Sequence, residues 1–376
     1  MTLPQKIALP TPNRTARRLK SGSADVIEPV SLKNRIRRAA LTRAVTFGTK
    51  RLIVFLTPGY DLRAGGVLAI FAMKRETVAL RQLHRARVTI CAVPGDDPRF
   101  LKYTWFDNHD YLLDLEDVLK SCGRLDYLQL HIPDAHVNRV LDWLTDAAST
   151  LLRNIRDLHL NVLLFNIDNI RGQNVRELLS FGRATCTTAH EAYSNDATRQ
   201  AMGVPLHRLS VCSGPENYSV SGYEEKEPLL IVSSDGHLLK GEVLKEIARV
   251  CPELRIQVIE NLQYEDYMKL VRRAKWSLTF GEGLDAYFAE PVFSGGVSFA
   301  VFNGRYFTPG FRELETIYPS WEVLMERMPL DLQRLNAPAA YQKCWRQAYD
   351  LLSGLYSVDR FRQNLRMFYR GEYTFP

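Results

Sequence analysis

No stretch of this chain approaches the roughly 18 consecutive apolar residues of a membrane-spanning helix. No apolar signal core follows Lys6 and the early prolines. The first absence excludes a helical integral membrane protein, and the second argues against export. The six cysteines, Cys91, Cys122, Cys186, Cys212, Cys251 and Cys344, form no C-x-x-C pair and no zinc-like spacing. They read as reduced thiols of a cytoplasmic protein. There is no internal repeat and no low-complexity tract. Acid is scarce in one place: residues 1–50 hold eleven Lys or Arg against Asp25 and Glu28, a net +9, while the rest of the chain sums to −2. The pI near 9.0 therefore describes a basic extension on a nearly neutral body, which argues against a nucleic-acid enzyme with a basic groove.

The 376 residues suffice for two domains, and 46% hydrophobic with 24% charged residues is a globular balance. From Arg51 onward, short β-rich apolar runs alternate with helical patterns, as in a parallel sheet covered by helices. Strands are expected at 52–57, 88–93, 126–130, 160–167 and 184–188. Between them Val137, Val140, Leu141, Leu144, Ala148, Leu151, Leu152 and Ile155 keep a helical stripe. Ser213-Gly214-Pro215-Glu216-Asn217 and the polar run to Pro228 read as a linker. Alternation then resumes, with strands expected at 229–233, 255–260, 276–280 and 297–302 and helices near 241–250, 265–274 and 291–294. Two helical segments, 341–355 and 359–369, follow. The expected units are a basic extension (1–50), two α/β domains (51–215 and 216–337) facing a cleft, and C-terminal helices (338–376).

The most informative stretch runs from Thr279 through Phe280-Gly281-Glu282-Gly283-Leu284-Asp285 to Glu290-Pro291 and Ser294-Gly295-Gly296-Val297. A strand enters a glycine loop, and Pro291 suggests a helix start with Glu290 at or beside its cap. Free N–H groups at such a turn suit a diphosphate or sugar hydroxyls. Glu282 and Glu290, seven residues between them, resemble the paired glutamates of the retaining GT-B nucleotide-sugar glycosyltransferases (family-4-like). Those enzymes follow E-G-F-G-x-P-x-x-E-A with a small-residue–glycine turn and an apolar strand. Here Asp285 replaces the second glycine and Tyr287 the proline. A capping Glu and a surface Glu on an ordinary βα unit would also give this spacing.

What the resemblance implies is a GT-B fold of two Rossmann-like domains. A sugar would move from a nucleotide-diphosphate donor to a glycan or lipid-linked acceptor with retained configuration, in cell-surface polysaccharide synthesis. Glu282 with Gly283, Leu284 and Asp285 would hold the sugar, and Glu290 the ribose. Lys240, in Ser233-Ser234-Asp235-Gly236-His237-Leu238-Leu239-Lys240-Gly241, would meet the diphosphate with help from His237, no Arg occupying that loop. Asn261-Leu262 stands where the family turns its backbone toward the base, and Asn tolerates a left-handed turn. Gly65-Gly66, after the first strand, would bring amides near the phosphate or acceptor. His131, at the expected end of its strand, would reach the sugar from the first domain, although a structural place in the core is the commoner outcome for a histidine there. His190 is a weaker cleft candidate.

No cofactor and no metal are implied, since the nucleotide sugar is a substrate. Within residues 31–45 Leu32, Ile36, Ala40 and Leu41 cluster with basic residues elsewhere, so an anionic membrane surface is an expected partner and nucleic acid is not. The expected location is cytoplasmic, at the inner face of the membrane. Rival readings are a catalytically silent GT-B scaffold in an envelope-assembly complex and a nucleotide-sugar epimerase. No motif for the pyridoxal site of a phosphorylase is present.

Overall fold

The computed structural model describes residues 32–96, 101–146, 151–152 and 155–376. Residues 1–31 of the expected extension and Ala148 of the expected helical stripe lie outside them.

Strand β1 (Arg51–Thr57) is apolar without interruption because both of its faces are covered. Leu52, Val54 and Leu56 join one buried cluster, Ile53 and Phe55 another. Unbroken hydrophobicity is what a parallel sheet between two helical layers requires. With β2 (Arg87–Ala92), β3 (Leu112–Leu113), β4 (Tyr127–Pro133), β5 (Leu158–Leu164), β6 (Arg183–Thr188) and β7 (Leu206–Arg208) it forms a parallel sheet in the order β3-β2-β1-β4-β5-β6-β7. The helices of this half are α1 (Leu32–Thr46), α2 (Gly65–Ala79), α3 (Arg81–His84), α4 (Leu115–Ser121), α5 (Val137–Asp146), α6 (Gly172–Glu177) and α7 (Asp196–Met202). Helix α5 buries Val137, Val140, Leu141 and Leu144 on one face of the sheet, while α2 buries Val67, Ile70 and Phe71 on the other.

The second half repeats the plan. Strands β8 (Glu227–Val232), β9 (Arg255–Val258), β10 (Ala274–Leu278), β11 (Val297–Val301) and β12 (Ile317–Tyr318) lie parallel in the order β12-β11-β10-β8-β9. Around them pack α8 (Lys240–Val250), α9 (Tyr264–Arg273), α10 (Ala286–Phe293) and α11 (Trp321–Leu335). The three strands absent from the sequence reading, β3, β7 and β12, are two or three residues long, too short to carry a period.

Two boundaries are corrected by the structure. Helix α10 begins at Ala286 rather than near Pro291, because Asp285 caps it: its side chain accepts from the Phe288 amide at 3.0 Å. Asp is among the strongest cap residues and Glu is not, so Pro291 is carried inside the helix and Glu290 sits a turn in. Strand β5 ends at Leu164, which frees Phe165 and Asn166 to form a loop.

The C-terminal segment is shared between the halves. Helix α12 (Pro338–Leu355) serves the second domain: Trp345 donates to the Val292 carbonyl at 2.8 Å and Tyr341 to that of Gly295 at 2.8 Å. Helix α13 (Val358–Arg370) crosses back to the first, where the Asn364 carbonyl meets His207 Nε2 at 2.8 Å and Phe375 bridges Leu206.

This return also places His131, and not where the sequence reading put it. Strand β4 continues to Pro133, so His131 lies inside it, fully buried. It stacks on Phe55 at 4.3 Å, with Tyr369 Oη 3.1 Å from one ring nitrogen and Asn161 Nδ2 3.0 Å from the other. Burial holds its pKa well below the usual histidine value, so the ring is neutral. His131 is a core residue that joins α13 to the sheet. His131→Ala should leave a cavity and take one hydrogen-bond partner each from Tyr369 and Asn161, which keep Thr77 and Thr187, lowering stability by about 2–4 kcal/mol. Urea unfolding checks this, and nucleotide binding by the folded variant should match the parent.

Candidate functional site

An open parallel sheet binds ligands beyond the carboxyl ends of its strands, where the strand order reverses. In the first sheet that point lies between β1 and β4, in the second between β8 and β10. The two open onto a common cleft. Across it, Asn166 Nδ2 donates to Glu282 Oε1 at 2.8 Å, the Tyr264 amide to the Trp105 carbonyl at 2.9 Å, and the Asp107 amide to Glu265 at 3.2 Å. Arg305 pairs with Asp168, and the rings of His190 and Tyr306 meet at 5.3 Å.

On the second domain, the two loops of the switch point brace each other: the Phe280 amide donates to Ser233 Oγ at 2.9 Å. Gly283 has φ +92°, and a Cβ there would stand 2.5 Å from the Phe307 ring, so only glycine fits. This turn directs Glu282 into the cleft while Leu284 is buried behind it. Asp285 holds the turn by accepting from Thr279 Oγ1 at 2.7 Å as well as from the helix it caps. Burial pushes the Glu282 carboxyl up to about 7, against the lowering effect of the Asn166 hydrogen bond, with Asp134 and Asp235 adding repulsion. Asp285 is likewise pushed up to about 7 by burial.

Lys240 opens α8, yet its ammonium folds back onto the carbonyls of Ser233 (2.6 Å) and Asp235 (3.0 Å). Desolvation lowers its pKa, while Asp235 and Glu260 oppose the shift. His237 accepts from the Leu239 amide at 3.2 Å and packs its ring on Trp321 at 4.3 Å. Asn261 has φ +54°, the left-handed turn its residue type allows, and Leu262 follows it into α9. Beside them is a groove of about 380 Å³ bordered by Lys102, Thr104 and Phe106 from one domain and Gln263 and Glu265 from the other.

Glu290 is displaced from its expected setting. One turn into α10, its Oε1 accepts from Tyr264 (2.9 Å) and Tyr218 (3.1 Å), Tyr267 stands close by, and Oε2 has no partner among the described residues. Burial raises its pKa and the tyrosine hydroxyls hold it down. A buried carboxylate gripped by tyrosines from the linker and α9 fastens those segments to α10.

On the first domain, Gly65 and Gly66 begin α2 without a side-chain cap. A Cβ on Gly65 would meet nothing and one on Gly66 would meet Phe165 at 3.8 Å, so packing does not demand glycine at either position. Three side chains went unread in the sequence. Asp134, buried, accepts from the amides of Phe165 (2.7 Å) and Asn166 (2.6 Å) and so shapes the loop that presents Asn166. Tyr306 stands between Glu282 and His190. The strand expected through residue 167 hides Asn166, and Tyr306 lies after β11 with no motif to mark it. His190 is 9% exposed, burial holds it down to about 4, and neither ring nitrogen has a partner among the described residues. The other buried histidines, His84, His131, His159 and His207, have partners on both ring nitrogens.

Because folding raises the Glu282 pKa from the ordinary 4.5 to about 7, the native state keeps a proton that the unfolded chain releases. Stability then falls as pH climbs between those two values, and the penalty is complete above them. Glu282→Gln removes it while retaining an acceptor for Asn166. The variant should exceed the parent by about 1–2 kcal/mol at pH 8, after allowance for solvent screening, with the advantage gone near pH 5. Urea unfolding at the two pH values checks this.

No protein-family model and no curated protein matches the chain by sequence. Solved structures that resemble it include HepE from Anabaena in complex with UDP-glucose, 12% identical, covering 85% of this chain and 99% of that one with a TM-score of 0.59. Sucrose-phosphate synthase from Thermosynechococcus elongatus is 8% identical, with 85% and 98% covered and a TM-score of 0.54. A glycosyltransferase from Rickettsia africae is 10% identical, with 86% and 98% covered and a TM-score of 0.51. At these identities the likeness is one of fold: two Rossmann-like domains about a cleft, the GT-B fold.

Proposed function

We propose that this chain is a glycosyltransferase that moves a sugar from a nucleotide-diphosphate donor, with UDP-glucose the first to test, to a glycan or lipid-linked acceptor with retained configuration, in cell-surface polysaccharide synthesis. The observation that carries the reading is Glu282, set by the Gly283 turn at one switch point and met by Asn166 from the other. Transfer breaks the bond between the sugar's anomeric carbon and the diphosphate and forms one to an acceptor hydroxyl, whose proton leaves with the diphosphate. Positive charge gathers on the sugar and negative charge on the leaving group. Glu282 with the amides of Gly283, Leu284 and Asp285 faces the sugar, and Lys240 exchanges its backbone carbonyls for the diphosphate. Asn261 and Leu262 lie at the base, and Glu290 takes the ribose hydroxyls in exchange for the tyrosine hydroxyls it now accepts from. Gly65 and Gly66 approach from the first domain. His190, neutral and unpartnered, takes the place beside the sugar that the sequence reading gave to His131.

One observation favours the silent scaffold. Lys240 is engaged by carbonyls, and Asp235, Glu282 and Asp285 surround the loop that would take a diphosphate. The readings separate in one comparison. If the enzyme reading holds, Glu282→Ala should bind UDP nearly as well as the parent by calorimetry and transfer sugar at least about a hundredfold more slowly. Full activity in the variant would remove Glu282 from the chemistry, and a parent that neither binds nucleotides nor turns over any donor would leave the scaffold.

A further inference from the structure

Helix α1 has five cations and no acid. Its inner face is spent on the fold: Thr42 and Thr46 are buried and Leu41 and Val45 pack on the core. The outer face is the unusual one. Ile36 is 62% exposed and Phe47 77%, with Ala40 between them on the same line of the helix. The Phe47 amide still bonds the Arg43 carbonyl at 2.9 Å, which carries the helical path one residue past Thr46 and holds Phe47 in register with Ile36. Cations border this stripe. Lys33 and Arg35 are exposed beside it, Arg43 stands on the same line between Ala40 and Phe47, and Lys50 and Arg87 extend the border past its end, where Arg87 donates to the Ala44 carbonyl at 2.8 Å. On its packed side α1 meets α4, where Glu116 is paired with Lys120.

Cations alone would suit any polyanion. A nucleic-acid backbone has no use for an isoleucine and a phenylalanine held out in water on a line between them, whereas a bilayer takes both: the apolar side chains enter the acyl boundary while the cations meet lipid phosphates. We propose that the outer face of α1 docks this protein on an anionic membrane surface, the helix lying in the plane of the interface with Ile36 and Phe47 inserted.

The test is co-sedimentation of the full chain with phosphatidylcholine vesicles, with and without phosphatidylglycerol. The parent should bind the mixed vesicles and not the neutral ones. An interfacial cation is worth about fivefold in binding, so Lys33→Glu with Arg43→Glu should weaken it by at least about 25-fold. Ile36→Ser with Phe47→Ser should abolish it at unchanged net charge. All four side chains are exposed, so circular dichroism and thermal unfolding should match the parent. The proposal is overturned if the parent ignores anionic vesicles, or if either double variant binds them as the parent does, residues 1–31 then being the anchor. It is also overturned if Ile36→Ser with Phe47→Ser disrupts a dimer of the parent, or if an oligonucleotide binds the parent in preference to the vesicles.

Discussion

The hydrogen bond from Asn166 to Glu282 is the constraint around which the cleft is arranged. A carboxylate at the end of β10 is drawn out of water and must be compensated, and the donor that meets it belongs to the other domain. That donor is in place because Asp134, buried beneath it, holds the amides of Phe165 and Asn166. The glycine turn at Gly283 and the cap at Asp285 perform the same task on the opposite wall. Each wall is rigid for local reasons, and this bond, with the Tyr264–Trp105 and Asp107–Glu265 bonds and the Arg305–Asp168 pair, sets how the walls meet.

The electrostatics of the cleft follow from the same geometry. Glu282, Asp285 and Asp134 crowd a space from which water is partly excluded, and all three carboxyls are raised. The one lysine at the second domain's switch loop is spent on backbone carbonyls. A diphosphate arriving here must draw Lys240 away from those carbonyls. In the proposed reading, backbone amides at Gly65, Gly66 and the Gly283–Asp285 turn then supply attraction that carries no net charge and needs no arginine.

Much of the fold could be read from the sequence because unbroken apolar runs between amphipathic stretches admit few other arrangements. Asn261 and Gly283 adopt the conformations their residue types suggest. The failures are physical in kind. Pro291 suggests a helix start, but the stronger signal is Asp285, three residues before the amide it caps. His131 follows what looks like a strand end, but β4 runs on to Pro133, and the side chain faces a helix that returns from 238 residues later in the chain. Glu290 and the tyrosines around it come from three separate segments, as do Asn166, Tyr306 and His190, and no local pattern announces such meetings.

If the two switch points form one nucleotide-sugar site, a bound donor must protect both domains at once. Hydrogen–deuterium exchange of the full chain, with and without UDP-glucose, tests it directly. The amides at the start of α2, at Asn261 and across Gly281–Asp285 should slow together on adding the donor, with those around His131 unmoved. Protection confined to one domain, or none at saturating donor, would contradict it.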